Sequence, residues 1–340
     1  MTSLTIREIA RLAGTSTATV SRVLSGACYV SPDLAKRVTQ VVSEQRFVPN
    51  AVASSRARLR SRRPGTAHRT IGVVVTAPPP EMPASHIEQE LQAGIHAASV
   101  ESNAVITSWR IEHEAFRKGL FPAALSEIPL DGILIWGVSN ANYDAIRQLA
   151  PLVVCVASPQ PDCKSPTVEA DNGAGIDALF QYLYDLGHRR FEFLAQQVVH
   201  VPTQERGERF MAQVRAAGVS GRVVAAASDD FKSYAAEFAA RRPTERPTAL
   251  IAANDFRAAR LLRDLGEQGV RVPEQVSVVG FDGAPFGLDL QPALTSWHPY
   301  WYDVGRIAFQ TLLDVLAGKN VPVRTLIGGE LLIRKSAAPP

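Results

Sequence analysis

Gly14 stands between two short segments, and those segments can bury their apolar residues only by folding against each other. The stretch is TIREIARLAGTSTATVSRVL, residues 5–24. Thr5 and Glu8 have capping-box spacing, with a hydroxyl able to accept from the N3 amide and a carboxylate able to reach back. Ile6, Ile9, Ala10 and Ala13 recur at three- and four-residue spacing and so share one helix face. Gly14 then permits a backbone conformation that would strain a residue with a Cβ. Ser16 can cap a second helix, which turns Val20, Val23 and Leu24 inward. Two short helices joined by a glycine turn form a helix-turn-helix, in which the start of the second helix meets base edges in the major groove. That leaves Thr17, Ala18, Ser21 and Arg22 facing out. The pattern alone also fits an ordinary helical hairpin in a core.

The flanking sequence extends the unit. Ser31-Pro32-Asp33 opens a third helix with a capping serine, a proline at the first helical position and an acid at the positive helix end. Leu34, Val38, Val41 and Val42 give it an inward face, Arg46 to Pro49 end it, and Phe47 is placed to plug the small core. Asn50 can cap a further segment, AVASSRARLR. Residues 1–63 carry 11 Lys/Arg against 3 Asp/Glu, and the rest of the chain 25 against 30, so a net charge of +3 conceals a basic head on a mildly acidic body. A basic head fits contact with phosphate.

Residues 5–57 resemble the DNA-binding headpiece of the lactose/galactose repressor (LacI/GalR) family. The resemblance rests on Ala13-Gly14, Ser16, Thr19-Val20-Ser21-Arg22-Val23-Leu24, Val30-Ser31 and Pro49-Asn50. It implies that Arg22 reaches a base edge, that Thr17 and Ala18 set fine specificity, and that Thr5, Ser16, Thr19, Ser21 and Asn50 position the backbone through phosphates. Tyr29, Ala53 and Arg56 complete the implied DNA-binding set. It also implies a hinge helix after Asn50 that forms on DNA and enters the minor groove. Where that hinge carries a wedging leucine, this chain has Arg56, which would read a narrow groove or bind phosphate instead of kinking the duplex. Leu59 could stand in as the wedge. Residues 60–69 read as an exposed linker.

From residue 70 short apolar runs alternate with amphipathic stretches. TIGVVV, AVITSW, DGILIW and LVVCVA read as buried parallel strands, with helices such as IEQELQAGIHAASVES between them. FEFLA, RVVAAA, TALIAA and VSVVGFD form a second series. Two such series predict two parallel-sheet lobes with helices on both faces and a cleft between them. VEADNGAG, YDLGHRRFEFL, ANDFRAARLLRDLG, VRVPEQVSVVGFD and PALTS continue the family resemblance through the body, which implies a periplasmic-binding-protein-like fold. The expected organisation is a headpiece over 1–49, a hinge and linker over 50–69, and an effector-binding and dimerisation body over 70–340. The chain is expected to cross between lobes near 166, 295 and 324.

The resemblance places Arg206, Asn254 and Asp282 at the effector. An arginine, an amide and a carboxylate at strand ends suit a polyhydroxylated ligand, a sugar or sugar derivative. Arg206 opens an Arg-x-x-Gly-aromatic motif in which Arg209 replaces the glycine before Phe210. Trp136 could stack on a sugar face or belong to the core, and Asp255 reads as a helix N-cap. After the first body strand, TAPPPEMPASHIEQE replaces the family's usual ligand-touching stretch, and Pro78, Pro79, Pro80 and Pro83 force an extended loop. That raises a second reading, an effector-independent regulator with a vestigial cleft.

Other classes find no support. No nucleophile elbow, Walker loop or zinc helix is present, so the chain is not expected to be an enzyme, and neither a cofactor nor a metal is implied. Gly173-Ala174-Gly175 reads as a strand-to-helix turn, His188 as structural and Cys155 as a small buried hydrophobe. Cys28, Cys155 and Cys163 have neither disulfide-framework nor metal spacing. No apolar run is long enough to span a membrane, and no secretory signal opens the chain, so a cytoplasmic location is expected. The function expected is sequence-specific transcriptional regulation, as a repressor: a homodimer on a palindromic double-stranded DNA operator, controlled by a small-molecule effector. No heptad tail follows, so a coiled-coil tetramer is not expected.

Overall fold

The structure is a computed structural model that describes residues 5–25, 30–45, 68–77, 85–137, 146, 149–150, 152–157, 165–196, 201–226 and 231–340. The headpiece comprises α1 (Ile6–Leu12), α2 (Thr17–Ser25) and α3 (Pro32–Glu44). Thr5 and Glu8 form the capping box, with the Thr5 amide donating to Glu8 Oε2 at 2.6 Å. Gly14 takes φ +60°, and the Thr15 amide behind it reaches back to the Ala10 carbonyl at 2.9 Å. Ile9, Ala10, Ala13, Val20 and Val38 form the core, with Val23, Leu24, Val41 and Val42 packed on it. Ile6 departs from the expected inward face and is 36 % exposed, because α1 is too short for its first turn to be covered. Ser31 occupies the cap of α3 but makes no side-chain capping bond. Phe47, the hinge segment and the proline loop lie outside the described residues.

The body runs through β1 (Thr70–Ala77), α4 (His86–Glu101), β2 (Val105–Glu112), α5 (His113–Arg117), α6 (Ala123–Glu127), β3 (Gly132–Trp136), β4 (Val153–Val156) and β5 (Thr167–Ala170). It continues through α7 (Asn172–Asp185), β6 (Arg190–Gln196), α8 (Val201–Ala217), β7 (Ser220–Ala226), α9 (Lys232–Ala240), β8 (Ala249–Ala252), α10 (Asp255–Glu267), β9 (Ser277–Phe281) and β10 (Thr295–Pro299). Then come α11 (Trp301–Leu316), β11 (Arg324–Ile327) and β12 (Gly329–Leu332).

The strands form two sheets, ordered β11-β5-β4-β3-β1-β2 and β12-β10-β9-β8-β6-β7. All described pairings are parallel except β10 with β12. Alternation along each strand feeds two cores. In the first lobe Val73, Val75, Leu134 and Val154 pack with α4 and α11, while Val74, Ile133, Ile135 and Cys155 pack on the opposite face. In the second, Phe191, Phe193, Ile251 and Phe281 pack with α7 and α8, while Leu194, Leu250 and Val278 pack with α9 and α10. The apolar runs of β2 and β7 predict buried strands, but as sheet edges both are largely exposed.

α4 and α11 cross closely enough that a Cβ on Gly94 would lie 1.9 Å from the Tyr302 carbonyl oxygen, and one on Gly305 2.1 Å from that of Leu91. The chain changes lobes at Asp171, Tyr300 and Gly328, each a few residues beyond the expected crossing. The short strands β5, β10 and β11 account for the offset, since each completes one sheet before the chain leaves it.

Candidate DNA-reading face and inter-lobe site

Thr17, Ala18, Ser21 and Arg22 are exposed on α2, as expected for residues turned from the core. The hydroxyls assigned to phosphate have local partners. Ser16 Oγ accepts from the Thr19 amide at 3.1 Å and shares a 2.9 Å hydrogen bond with Thr19 Oγ1. Thr5 Oγ1 donates to Glu8 Oε2 at 2.8 Å. The Thr5 backbone and side-chain bonds hold the Glu8 carboxyl below its usual range. The hydroxyls of Thr5, Ser16 and Thr19 therefore build the helix starts. Tyr29, Asn50, Ala53 and Arg56, like Leu59, lie outside the described residues.

In the body, Arg206 of α8 and Asp282 just beyond β9 come together, both buried, with Nη1 3.8 Å from Oδ1. Arg206 Nε donates to Asn172 Oδ1 at 2.8 Å and Nη1 to the Ala253 carbonyl at 2.6 Å. Its guanidinium carbon lies 3.5 Å from the centre of the Phe281 ring, a cation–π arrangement. Burial raises the Asp282 carboxyl from 3.8 to about 6, opposed by Arg206, Arg257 and His298. Asp282 also holds φ 117°, a conformation that favours glycine.

Asn254, not Asp255, caps α10, its Oδ1 accepting from the Arg257 amide at 2.9 Å. Asp255 is the first helical residue and 1 % exposed, and it accepts from Ser296 Oγ and the Ala284 amide, both at 2.6 Å. Burial, with Asp282 beside it, raises its carboxyl well above the usual range. Arg209, in the glycine position of the motif, pairs in bidentate fashion with Asp177 of α7 and so ties α7 to α8. Trp136 is half-buried and packs on the first-lobe core beside Leu134, Val156 and Glu88. Gly175 lies in the first turn of α7 rather than in a loop, where a Cβ would meet Phe281 at 2.5 Å and Trp297 at 2.7 Å. His188 is structural, hydrogen-bonded to Thr248 and the Ala338 carbonyl.

Sequence reasoning assigns no role to several residues that the fold brings to the site. Asn172 sits at the start of α7 inside the VEADNGAG signature, and only the fold places it against Arg206. His86, at the start of α4, bonds through Nε2 to the Asp282 carbonyl oxygen at 3.1 Å, so the first lobe touches the second at the site. Trp301 Nε1 donates to the same oxygen at 3.2 Å. Burial lowers the His86 imidazole from its ordinary value, opposed by the Asp282 bond and Glu90. The gathered groups could hold hydroxyl or anionic ligand atoms between the lobes. Among the described residues no group of three or more His, Cys, Asp or Glu could hold a metal, and no helix is long and apolar enough to cross a membrane.

Residues 5–50 match the family described as bacterial regulatory proteins, lacI family, and residues 180–337 match the periplasmic binding protein-like domain. The chain is 27% identical over 341 residues, 98% of each chain, to the HTH-type transcriptional repressor PurR of Photobacterium profundum. It is 28% identical to the HTH-type transcriptional repressor CytR of Escherichia coli, covering 98% of this chain and 96% of the relative. Among solved structures it is similar to a transcriptional regulator CelR–cellobiose complex, with TM-score 0.67, 26% identity and coverage of 98% and 99% of the two chains. It also shares its fold with the lac repressor dimer bound to operator and the anti-inducer ONPF, with TM-score 0.66, 22% identity and coverage of 99% and 100%. A helix-turn-helix head joined to a periplasmic-binding-protein-like body, matched end to end by named repressors, places the chain in the lacI family of bacterial regulatory proteins.

Proposed function

We propose that the protein is a cytoplasmic, non-enzymatic transcriptional repressor that binds a palindromic operator as a homodimer under the control of a sugar or sugar derivative. The observation that carries this reading is the outward row Thr17, Ala18, Ser21 and Arg22 on a helix fixed by its own three-helix core. One headpiece reads one half-site, so a second copy supplies the other. Arg22 reads a base edge, and Thr17 and Ala18 refine the choice.

Arg206, Asn254 and Asp282 receive the effector between the lobes. Related structures complexed with cellobiose or glucose support a sugar. Because the lobes carry the two heads of the dimer, a change in lobe angle couples ligand and DNA affinity reciprocally. A second reading, regulation without an effector, is favoured by one observation: Arg206 and Asn254 already bond to protein groups.

Thermal unfolding against sugars, sugar phosphates and purines tests the cleft. A ligand at about 100 times its dissociation constant stabilises by roughly 2.7 kcal/mol. A stabilising sugar whose effect disappears in Asp282→Ala supports the first reading. A flat response to the whole panel favours the second.

A further inference from the structure

A polar chain leads away from Arg206 through its Nε, while Nη1 faces Asp282. Arg206 Nε donates to Asn172 Oδ1 at 2.8 Å, and Asn172 Nδ2 donates to Glu205 Oε2 at 2.9 Å. Glu205 then accepts Arg324 Nη2 on both oxygens, at 2.7 and 2.8 Å. Arg324 Nε donates to Glu169. The first three of these residues belong to the second lobe, on α7 and α8. Glu169 and Arg324 lie on the paired strands β5 and β11 of the first lobe. Both strands end at a crossing, β5 at Asp171 and β11 at Gly328.

The polarity along this chain is matched at every step. The Asn172 amide has its oxygen toward a guanidinium and its nitrogen toward a carboxylate, so only one orientation satisfies both ends. Asn172 is 4 % exposed, so losing either partner would strand a buried polar atom. Glu205 is the member of the second lobe that bonds to the first, and it needs two accepting oxygens. A glutamine there would point an N–H at one of its two donor partners.

We propose that Glu205 is a positioning residue that couples Arg206 in the inter-lobe site to the crossing strands through Arg324. This inference rests on the reading of Arg206 as an effector contact. Opening the lobes pulls Arg324 from Glu205, which loosens Asn172 and lets the Arg206 guanidinium turn. A ligand that needs Arg206 in its present orientation therefore favours the lobe angle at which Arg324 meets Glu205.

The test has two arms on the full chain. In the first, Arg324→Gln and Asn172→Ala are combined, and thermal midpoints are read without ligand. These two residues make no hydrogen bond to each other, so independent effects would add. The expected result is that the double variant loses less than the sum of the single losses, and that this shortfall disappears in a Glu205→Gln background. Additive losses in both backgrounds would overturn the proposal. Should Asn172→Ala fail to fold, Asn172→Ser replaces it.

In the second arm, glucose and cellobiose are titrated by tryptophan fluorescence. For whichever sugar the wild type binds, Arg324→Gln is expected to weaken binding several-fold and Arg324→Lys to recover part of the loss. Unchanged binding in Arg324→Gln would also overturn the proposal. If the wild type binds neither sugar, the sugar-effector reading fails for these probes, while the first arm still decides whether the tie exists.

Discussion

Arg206 and Asp282 face each other across 3.8 Å, a gap wider than a hydrogen bond, while the same Nη1 donates to the Ala253 carbonyl at 2.6 Å. The buried guanidinium is therefore held mainly by neutral acceptors and an aromatic face, with the carboxylate as a more distant counter-charge. That arrangement leaves Asp282 without a hydrogen bond to its nearest guanidinium.

Removing the guanidinium leaves Asp282 as a buried carboxylate without its nearest charge. Arg206→Ala is expected to cost about 3–5 kcal/mol, the range for breaking a buried ion pair from one side. Denaturant unfolding measures it, and a loss within the roughly 0–1 kcal/mol of an exposed pair would contradict the assignment.

The Glu169 contribution to stability should fall as pH rises through the carboxyl range. Burial, only partly opposed by Arg324, raises Glu169 from 4.5 to about 7. The folded protein keeps this proton to higher pH than the unfolded chain does, so stability declines between about pH 4.5 and 7 and then levels. At 1.36 kcal/mol per unit the decline is about 3 kcal/mol. Glu169→Gln removes this contribution and leaves those of the other shifted groups, the declines from Asp282, raised to about 6, and from Asp255, and the opposite trend from His86 and His188, both lowered. Thermal midpoints of the two proteins across this range measure the difference, and parallel curves would contradict it.

Two glycines should respond in opposite directions to alanine. Gly94→Ala would push a methyl into the Tyr302 carbonyl and is expected to destabilise by about 1–3 kcal/mol. Gly266, inside α10, has nothing within 4 Å of an added Cβ and shows no positive φ. Gly266→Ala is expected to stabilise by about 0.4–1 kcal/mol through the unfolded chain. Denaturant unfolding of both variants checks the pair, and a shift of the same sign in each would count against the packing account.

The headpiece depends on its second cap. Ser16→Ala removes the acceptor for the Thr19 amide and is expected to cost about 0.5–2 kcal/mol. Amide exchange across α2 should rise with it, and unchanged exchange would contradict the capping role.

The elements most legible in the sequence are those governed by local chemistry. The capping box, the glycine turn and the inward faces of α2 and α3 follow from spacing alone. Eight body strands, β1 to β4 and β6 to β9, follow from their apolar runs. What is not legible depends on partners distant in sequence. β5, β10, β11 and β12, with sequences TVEA, TSWHP, RTLI and GELL, mix polar and apolar residues without a continuous apolar run, so the expected crossings fall a few residues early. Asn254 and Asp255 are both good caps by composition, and only the buried pocket of Ser296 and the Ala284 amide decides that the aspartate belongs inside. Trp136 ends an apolar strand, and its half-buried place against the first-lobe core depends on β4 beside it and on α4. The chain from Arg206 to Arg324 joins residues more than a hundred positions apart and leaves no local mark.

The most direct test of the central claim is selection of binding sites from random double-stranded DNA, with the purified wild type and Arg22→Ala side by side. The wild type is expected to enrich two inverted half-sites. Arg22→Ala should lose preference at one base pair in each, by about 1–3 kcal/mol if the contact is bidentate. Failure of the wild type to enrich any symmetric site, or an Arg22→Ala profile identical to it, would contradict the account of α2 as the DNA-reading helix.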